Sequence, residues 1–498
     1  MTRHTANACH TGNAHQGACA CSALSLCASF HSLNERVKGG CHADHIGGSP
    51  AFAAAAAAKG VPNPRVIGHE NIAPRVQRYR DTDGWNRFIN AKQFGGIRVE
   101  HQYSLGGNKN HFIPPDVLEV QESFREQYVL NIGDHSVELN HAIGETDDHL
   151  WAWVPDKKWI MAGDFLIWNF PNAGNPQKVQ RYPLEWAKAL RDMAAKKPEL
   201  LLPAHGLPID GKERIEIVLT DIASALETLV SEVLVMMNDG ATLDSIIHSV
   251  SVPQDVLNKP YLRPMYDEPE FVVHNIWRLY GGWWDGAPSR LKPSPDAQLG
   301  AVIAELSGGV NALVARAQHE LAQGDFRMAC HLIDFAAWAE PENGHVHEAR
   351  SDIYEQRRSN ELSLMSKGIF KAAARTSAHA IVSIAAIHDA ATRVKLPFDA
   401  TALTKLAGNK VILPTAQARE VAALLHQHLV RIELVLEFLG EPLPGVERVE
   451  PRVPEGIILH LFPRSLLLAD DRVEAGTLAE EDVDGVLLIH RPAETGHL

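Results

Sequence analysis

Four short stretches of this 498-residue chain gather side chains able to hold a divalent cation. The first, His42-Ala43-Asp44-His45, places three donors in a single turn's length of sequence. The second, GETDDH from Gly144 to His149, adds acids and a histidine. Asp164 in MAGDF and His205 in PAHG each stand at the end of a strand-like run. Imidazole and carboxylate donors suit Zn²⁺ and similar ions, and a tight turn between strand and helix can aim several at one point. A lone histidine or aspartate at a strand end is ordinarily a satisfied structural residue. Four such stretches in this order and spacing signal a metal site.

The chain around them is globular in composition, 45% hydrophobic and 22% charged, and too long for one core. A formal charge of −14 argues against a nucleic-acid surface, which relies on clustered Lys and Arg. No apolar run reaches the roughly 18 residues of a membrane span. Five of the six cysteines (Cys9, Cys19, Cys21, Cys27 and Cys41) fall near the start, whereas an extracellular disulfide framework would spread them through the fold. The stretch ACACSALSLCASF lacks the charged start and strongly apolar middle of a secretory signal, so a cytoplasmic location is expected.

Residues 1–40 show neither strand alternation nor helical period and read as an atypical, disordered segment. Beyond them AFAAAAAAKG reads as a helix with a glycine stop, PRVIGHE as a strand, and RVQRYRDTDGWNRFINAKQF as one helix. YVLNIG, HSVELNHAIG, LWAWVP and KWIMAGDFLIW are strand-like. LEWAKALRDMAAKK is an amphipathic helix, and ELLLPAHG is a strand ending at His205. Strands with intervening helices predict a layered α/β domain over about residues 35–215. The remainder is mostly helical. LKPSPDAQ reads as a linker, and the segment from LVARAQ to YEQRR as three helices turned at GD and PEN. AREVAALLHQHLVRIELVLEFLG reads as a helix, while GIILHLF and GVLLIH are strand-like in a region of uncertain fold.

The order of the four stretches resembles the metallo-β-lactamase fold, where an HxHxDH motif precedes a third ligand, a bridging acid and a last histidine. The alkylsulfatase branch uses Glu as third ligand, which matches Glu145. HNIWRLYGGWWDGAPSRLKP, His274 to Pro293, is similar to the signature joining that branch's catalytic and dimerisation domains. SGGVNALVARA, GDFRMACHLIDFAAWAEP and EARSDIYEQRRSNELSLMSKGIF together resemble its dimerisation domain. The resemblance spans residues 41–376. It implies an α/β metallo-β-lactamase-like αββα sandwich over 41–292, an all-α dimerisation domain over 293–376, and a C-terminal region, 377–498, of unplaced fold.

The resemblance also implies an activity: a metal-dependent sulfuric ester hydrolase, cleaving alkyl sulfates to alcohol and sulfate with a metal-bound hydroxide. His42 and Glu145 would hold one Zn²⁺ and Asp44, His45 and His205 another, with Asp164 bridging them and holding the nucleophile. Asp147 and Asp148 would orient the ligating histidines. Asn175, Lys178 and Arg181 could meet the sulfate, Arg181 foremost because a guanidinium fork suits oxyanions. Trp151, Trp168 or Trp283 could line an alkyl chain. A homodimer is implied as well.

Three departures from the family modify these expectations. Gly40 stands where the family has its leading histidine, so fewer than two ions per chain and impaired activity are expected, with a gain on Gly40→His. The family's strand-rich leading segment is replaced by residues 1–40, which implies a truncated or aberrant N-terminus and an exposed sheet edge. LIWNFPNAGNPQKVQRYP replaces a histidine-rich stretch found in enzymes of primary alkyl chains. Two alternatives therefore stay open: a same-fold hydrolase of another ester, and a catalytically impaired dimeric remnant.

Overall fold

The computed structural model describes residues 35–96 and 111–394, together with the strand segments 410–413, 433–439, 456–462, 475–476 and 487–488. Two compact units divide the chain: residues 1–293 with 355–373, and residues 294–354 with 374–498.

In the first unit β1 (Glu35–Lys38), β2 (Arg65–His69) and β3 (Glu122–Phe124) form a parallel three-stranded sheet in that order. β4 (Gln127–Ile132), β5 (His135–His141), β6 (Leu150–Val154), β7 (Trp159–Gly163), β8 (Leu200–Pro203) and β9 (Ile209–Asp210) form a six-stranded sheet in chain order. β6 shows why the two sheets stack. Side chains alternate across a strand, yet every residue of LWAWV is buried. Leu150, Ala152 and Val154 meet Ile67 and Phe124 of the other sheet, while Trp151 and Trp153 turn to the opposite side. There they join the apolar faces of the helices Pro183–Ala195 and Lys212–Asn238. The helix Ile72–Asp81 belongs to a third cluster with Cys41, Ala43 and Ile46. Helices therefore flank two packed sheets, the expected αββα sandwich.

Three local expectations change. Residues 35–38, within the segment expected to be disordered, form β1, because Val37 pairs with Ile67 and packs on the inter-sheet core. The single helix expected over RVQRYRDTDGWNRFINAKQF is two, Ile72–Asp81 and Asp83–Gln93, separated at Thr82. The Thr82 hydroxyl donates to the Arg78 carbonyl, and the Asp83 carboxylate accepts the backbone N–H of Phe112 at 2.5 Å. Residues 355–373, expected in the helical domain, pack with the first unit. Gly368 lies against the Gln93 carbonyl so closely that an added Cβ would stand 1.6 Å from the oxygen.

In the second unit the helices Asp296–Leu306, Val310–Ala322 and Phe326–Ala339 succeed one another. Gly324, at φ +83°, makes the turn before the last of them, where Asp325 caps the Met328 N–H. Leu313, Ala317, Ile333 and Ala336 are buried on them, as is Ile353 further along the chain. The Tyr354 hydroxyl and the Arg350 guanidinium both donate to Asp334. The helix expected over 418–440 is corrected at its end. Glu433–Leu439 is a strand, paired along its whole length with Gly456–Phe462, and that ladder outweighs its helical periodicity. Residues 418–432 lie outside the described residues, as do the four histidines of the first 34 positions. Among the described residues no single helix is long and apolar enough to cross a membrane.

Candidate metal centre

One rim of the sandwich collects the donors. β6 runs antiparallel to β7, and β7 parallel to β8, so the start of β6 and the ends of β7 and β8 share an edge. His149 immediately precedes β6, Asp164 follows β7, and His205 follows β8 across Ala204. Glu145 lies in the β5–β6 connection. The Leu150 N–H donates to the Gly39 carbonyl at 3.0 Å, which fastens the exit of β1 to the start of β6. Just beyond, the His42 carbonyl accepts from the His45 and Ile46 N–H groups and starts the four-residue helix Ala43–Ile46. Cys41, Ala43 and Ile46 anchor that turn in the core, leaving His42, Asp44 and His45 on its other side.

Two donor groups result, His42, Glu145, His149 and Asp164, and Asp44, His45, Asp164 and His205. Asp164 belongs to both. Its carboxylate lies 2.8 Å from His45 Nε2, 3.3 Å from His205 Nε2, 3.9 Å from His42 Nδ1 and 4.0 Å from His149 Nε2. His205 Nε2 is also 3.2 Å from Asp44, and His42 Nδ1 is 3.6 Å from Glu145.

Burial sharpens the electrostatics. It would depress His45, yet the Asp164 and Asp44 carboxylates outweigh it and raise His45 to about 10. Hydrogen bonds to Asp164 and Asp44 raise His205 to about 11. Burial pushes His149 down to about 4, leaving it neutral. It also raises Glu145, against the pull of Arg181.

The donor set fits divalent cations. Within each group the ligating atoms lie inside 4.8 Å of one another, compatible with donors sharing one ion. Both His149 ring nitrogens are buried without a hydrogen-bond partner, which is costly unless something positive or metallic meets them. Imidazoles and carboxylates without thiolate favour zinc-like ions over softer metals.

Residues 41–205 match the family model of the metallo-β-lactamase superfamily, and residues 242–379 match that of alkyl sulfatase dimerisation. The chain thus joins a metallo-β-lactamase superfamily domain to an alkyl sulfatase dimerisation domain. It is 26% identical over 220 residues to a linear primary-alkylsulfatase of a Pseudomonas species, covering 43% of this chain and 41% of that one. It is 29% identical over 161 residues to an (R)-specific secondary-alkylsulfatase of Pseudomonas, covering 32% of this chain and 24% of the relative. The chain thus spans less than half the length of these curated relatives. The solved structure of Pisa1, a stereoselective inverting sec-alkylsulfatase from Pseudomonas, superposes with a TM-score of 0.59 at 21% identity. It covers 69% of this chain and 56% of its own, and supports the fold.

Within this site His42, Asp44, His45, Glu145, Asp164 and His205 all converge. Other expected residues stand elsewhere. Arg181 is 1% exposed and pairs with the Glu145 carboxylate at 2.9 Å while donating to its backbone carbonyl, so it holds Glu145 instead of facing a substrate. Asn175 is buried in a turn whose N–H groups, with that of Gly174, donate to Asp267. Lys178 donates to Asn90 at 2.9 Å. Asp147 pairs with Arg75, and Asp148 meets the Cys41 thiol at 3.5 Å; neither carboxylate hydrogen-bonds a histidine of the cluster. They brace the turn, not the imidazoles. Trp151 is core and Trp283 lies exposed, whereas Trp168 donates to the Leu207 carbonyl two residues past His205. Two contributors had no role assigned from sequence. Asn172 donates to Glu145, and His149 joins the first donor group. The signal for His149 was its place at the end of GETDDH.

Proposed function

We propose that this chain is a zinc-dependent sulfuric ester hydrolase acting on alkyl sulfates, and that it works as a homodimer. The observation that carries the reading is the convergence of two donor groups on Asp164. The matching dimerisation domain and the alkylsulfatase names of its relatives support it. Asp44, His45 and His205 would hold one ion and His42 with Glu145 another, Asp164 contributing to both. The chemistry such ions supply is Lewis-acid polarisation of the ester and acidification of water.

The chain's own residues do the rest. Arg181 and Asn172 fix the Glu145 carboxylate, so its orientation is set before substrate arrives. Asp164, gripped from two sides by His45 and His205 that hold it ionised, is placed to orient a water molecule. Lys178 is the cation offered to the sulfate, because the Glu145 and Asp44 carboxylates both act on its ammonium and Arg181 is already engaged. Trp168 and the 75%-exposed Leu207 give an apolar rim beside His205 for an alkyl chain. A sulfate monoester carries a single negative charge, which suits a site whose one offered cation is Lys178 better than a dianionic phosphomonoester does. The test is side-by-side turnover of an alkyl sulfate and the matching alkyl phosphate. Preference for the phosphate would assign the chain to another ester.

A further inference from the structure

We propose that His149 is the ion ligand that replaces the side chain missing at Gly40, completing the group of His42, Glu145 and Asp164. The assignment rests on the metal-centre reading above. It starts from one backbone hydrogen bond: the Leu150 N–H bound to the Gly39 carbonyl sets Gly40 beside His149. A Cβ built on Gly40 would stand 3.0 Å from His149 Cδ2 and 3.5 Å from its Nε2. The imidazole of His149 thus fills the space into which a side chain at position 40 would extend. It reaches that space from the residue that precedes β6.

The ring is aimed at the cluster. His149 is 2% exposed, and neither of its nitrogens has a hydrogen-bond partner. Its centroid lies 6.2 Å from that of His42 and 6.4 Å from that of His45, with Nε2 4.0 Å from Asp164. Phe165 packs edge-on against it at 5.2 Å and holds the ring in place. A histidine kept only for packing would be expected to satisfy at least one nitrogen, because a buried orphan costs about 1–3 kcal/mol. Coordination removes that cost.

Two consequences differ from what Gly40 alone implies. The chain holds a full complement of two ions, since the first group keeps three donors besides the shared Asp164. Gly40→His in the otherwise unchanged chain crowds His149 and adds no useful donor.

The experiment loads the full chain with Co²⁺ or Zn²⁺, removes excess metal, and reads ion content by elemental analysis and Co²⁺ coordination by visible absorption. The parent is expected to carry about two ions per chain, and His149→Ala and His149→Asn about one, with part of the Co²⁺ spectrum lost. The double variant Gly40→His/His149→Ala is expected to regain the second ion, which a chain that had merely misfolded would not do. Gly40→His alone should not exceed the parent. Unchanged loading and spectrum in both His149 variants would overturn the assignment while leaving the metal centre standing. So would a parent that binds about one ion and is indifferent to His149. A parent that binds no ion would instead defeat the metal-centre reading, and this assignment with it.

Discussion

Arg181 and Glu145 form a wholly buried pair, the guanidinium 2.9 Å from the carboxylate and bonded as well to the carbonyl of the same residue. Removing one partner leaves a charge in the interior with nothing to answer it. Arg181→Ala is therefore expected to cost about 3–5 kcal/mol of stability and to weaken metal binding. Denaturant unfolding and zinc titration check this. A variant of unchanged stability with only a raised KM would show Arg181 acting on substrate after all.

Chelation should destabilise the protein as well as silence it. An ion at about 1,000 times its Kd contributes about 4 kcal/mol to folding. The melting temperature is expected to fall on treatment with a strong chelator and to recover on adding Zn²⁺. Identical melting curves would mean that the donor cluster holds no ion.

Lys178 predicts a pH limb. Burial, with repulsion from Arg181, pushes its ammonium down to about 8. Anion binding needs the protonated form, so kcat/KM for an alkyl sulfate should decline as pH rises through about 8. Lys178→Gln should lower kcat/KM across the range, and Lys178→Arg should keep activity while moving the decline upward, because guanidinium stays charged. A pH profile that Lys178→Gln leaves unaltered would remove this residue from the anion site.

The dimer prediction concerns helix Asp296–Leu306, where Leu299, Val302 and Leu306 are exposed at one-face spacing. Apolar side chains on that face are suited to an isologous contact with a second copy. Val302→Glu with Leu306→Glu is expected to convert a dimer to a folded monomer at micromolar concentration in light scattering. A parent that is monomeric there would sink the idea.

Six cluster residues, His42, Asp44, His45, Glu145, Asp164 and His205, were legible because their stretches follow one another in the order and spacing of a known family, whose resemblance implies the ligand set. His149 was not, since its importance depends on the hydrogen bond that brings Gly39, past the end of β1, to Leu150 at the start of β6, which no local pattern states. Arg181 looked like a free cation because its partner Glu145 lies 36 residues away in sequence. The sandwich itself was readable from runs such as LWAWV, apolar throughout because helices cover one face and a second sheet the other. The strand at Glu433–Leu439 was misread for the opposite reason: a leucine-rich stretch satisfies helical spacing equally well until its partner strand is known.

The most direct test of the central claim is sulfate release from a medium-chain alkyl sulfate by the zinc-loaded full chain, measured before chelation, after it, and after zinc is restored. Release that stops with the chelator, returns with zinc and exceeds phosphate release from the matching alkyl phosphate is the predicted result. No sulfate release from protein shown to carry zinc, or release indifferent to chelation, would contradict the account.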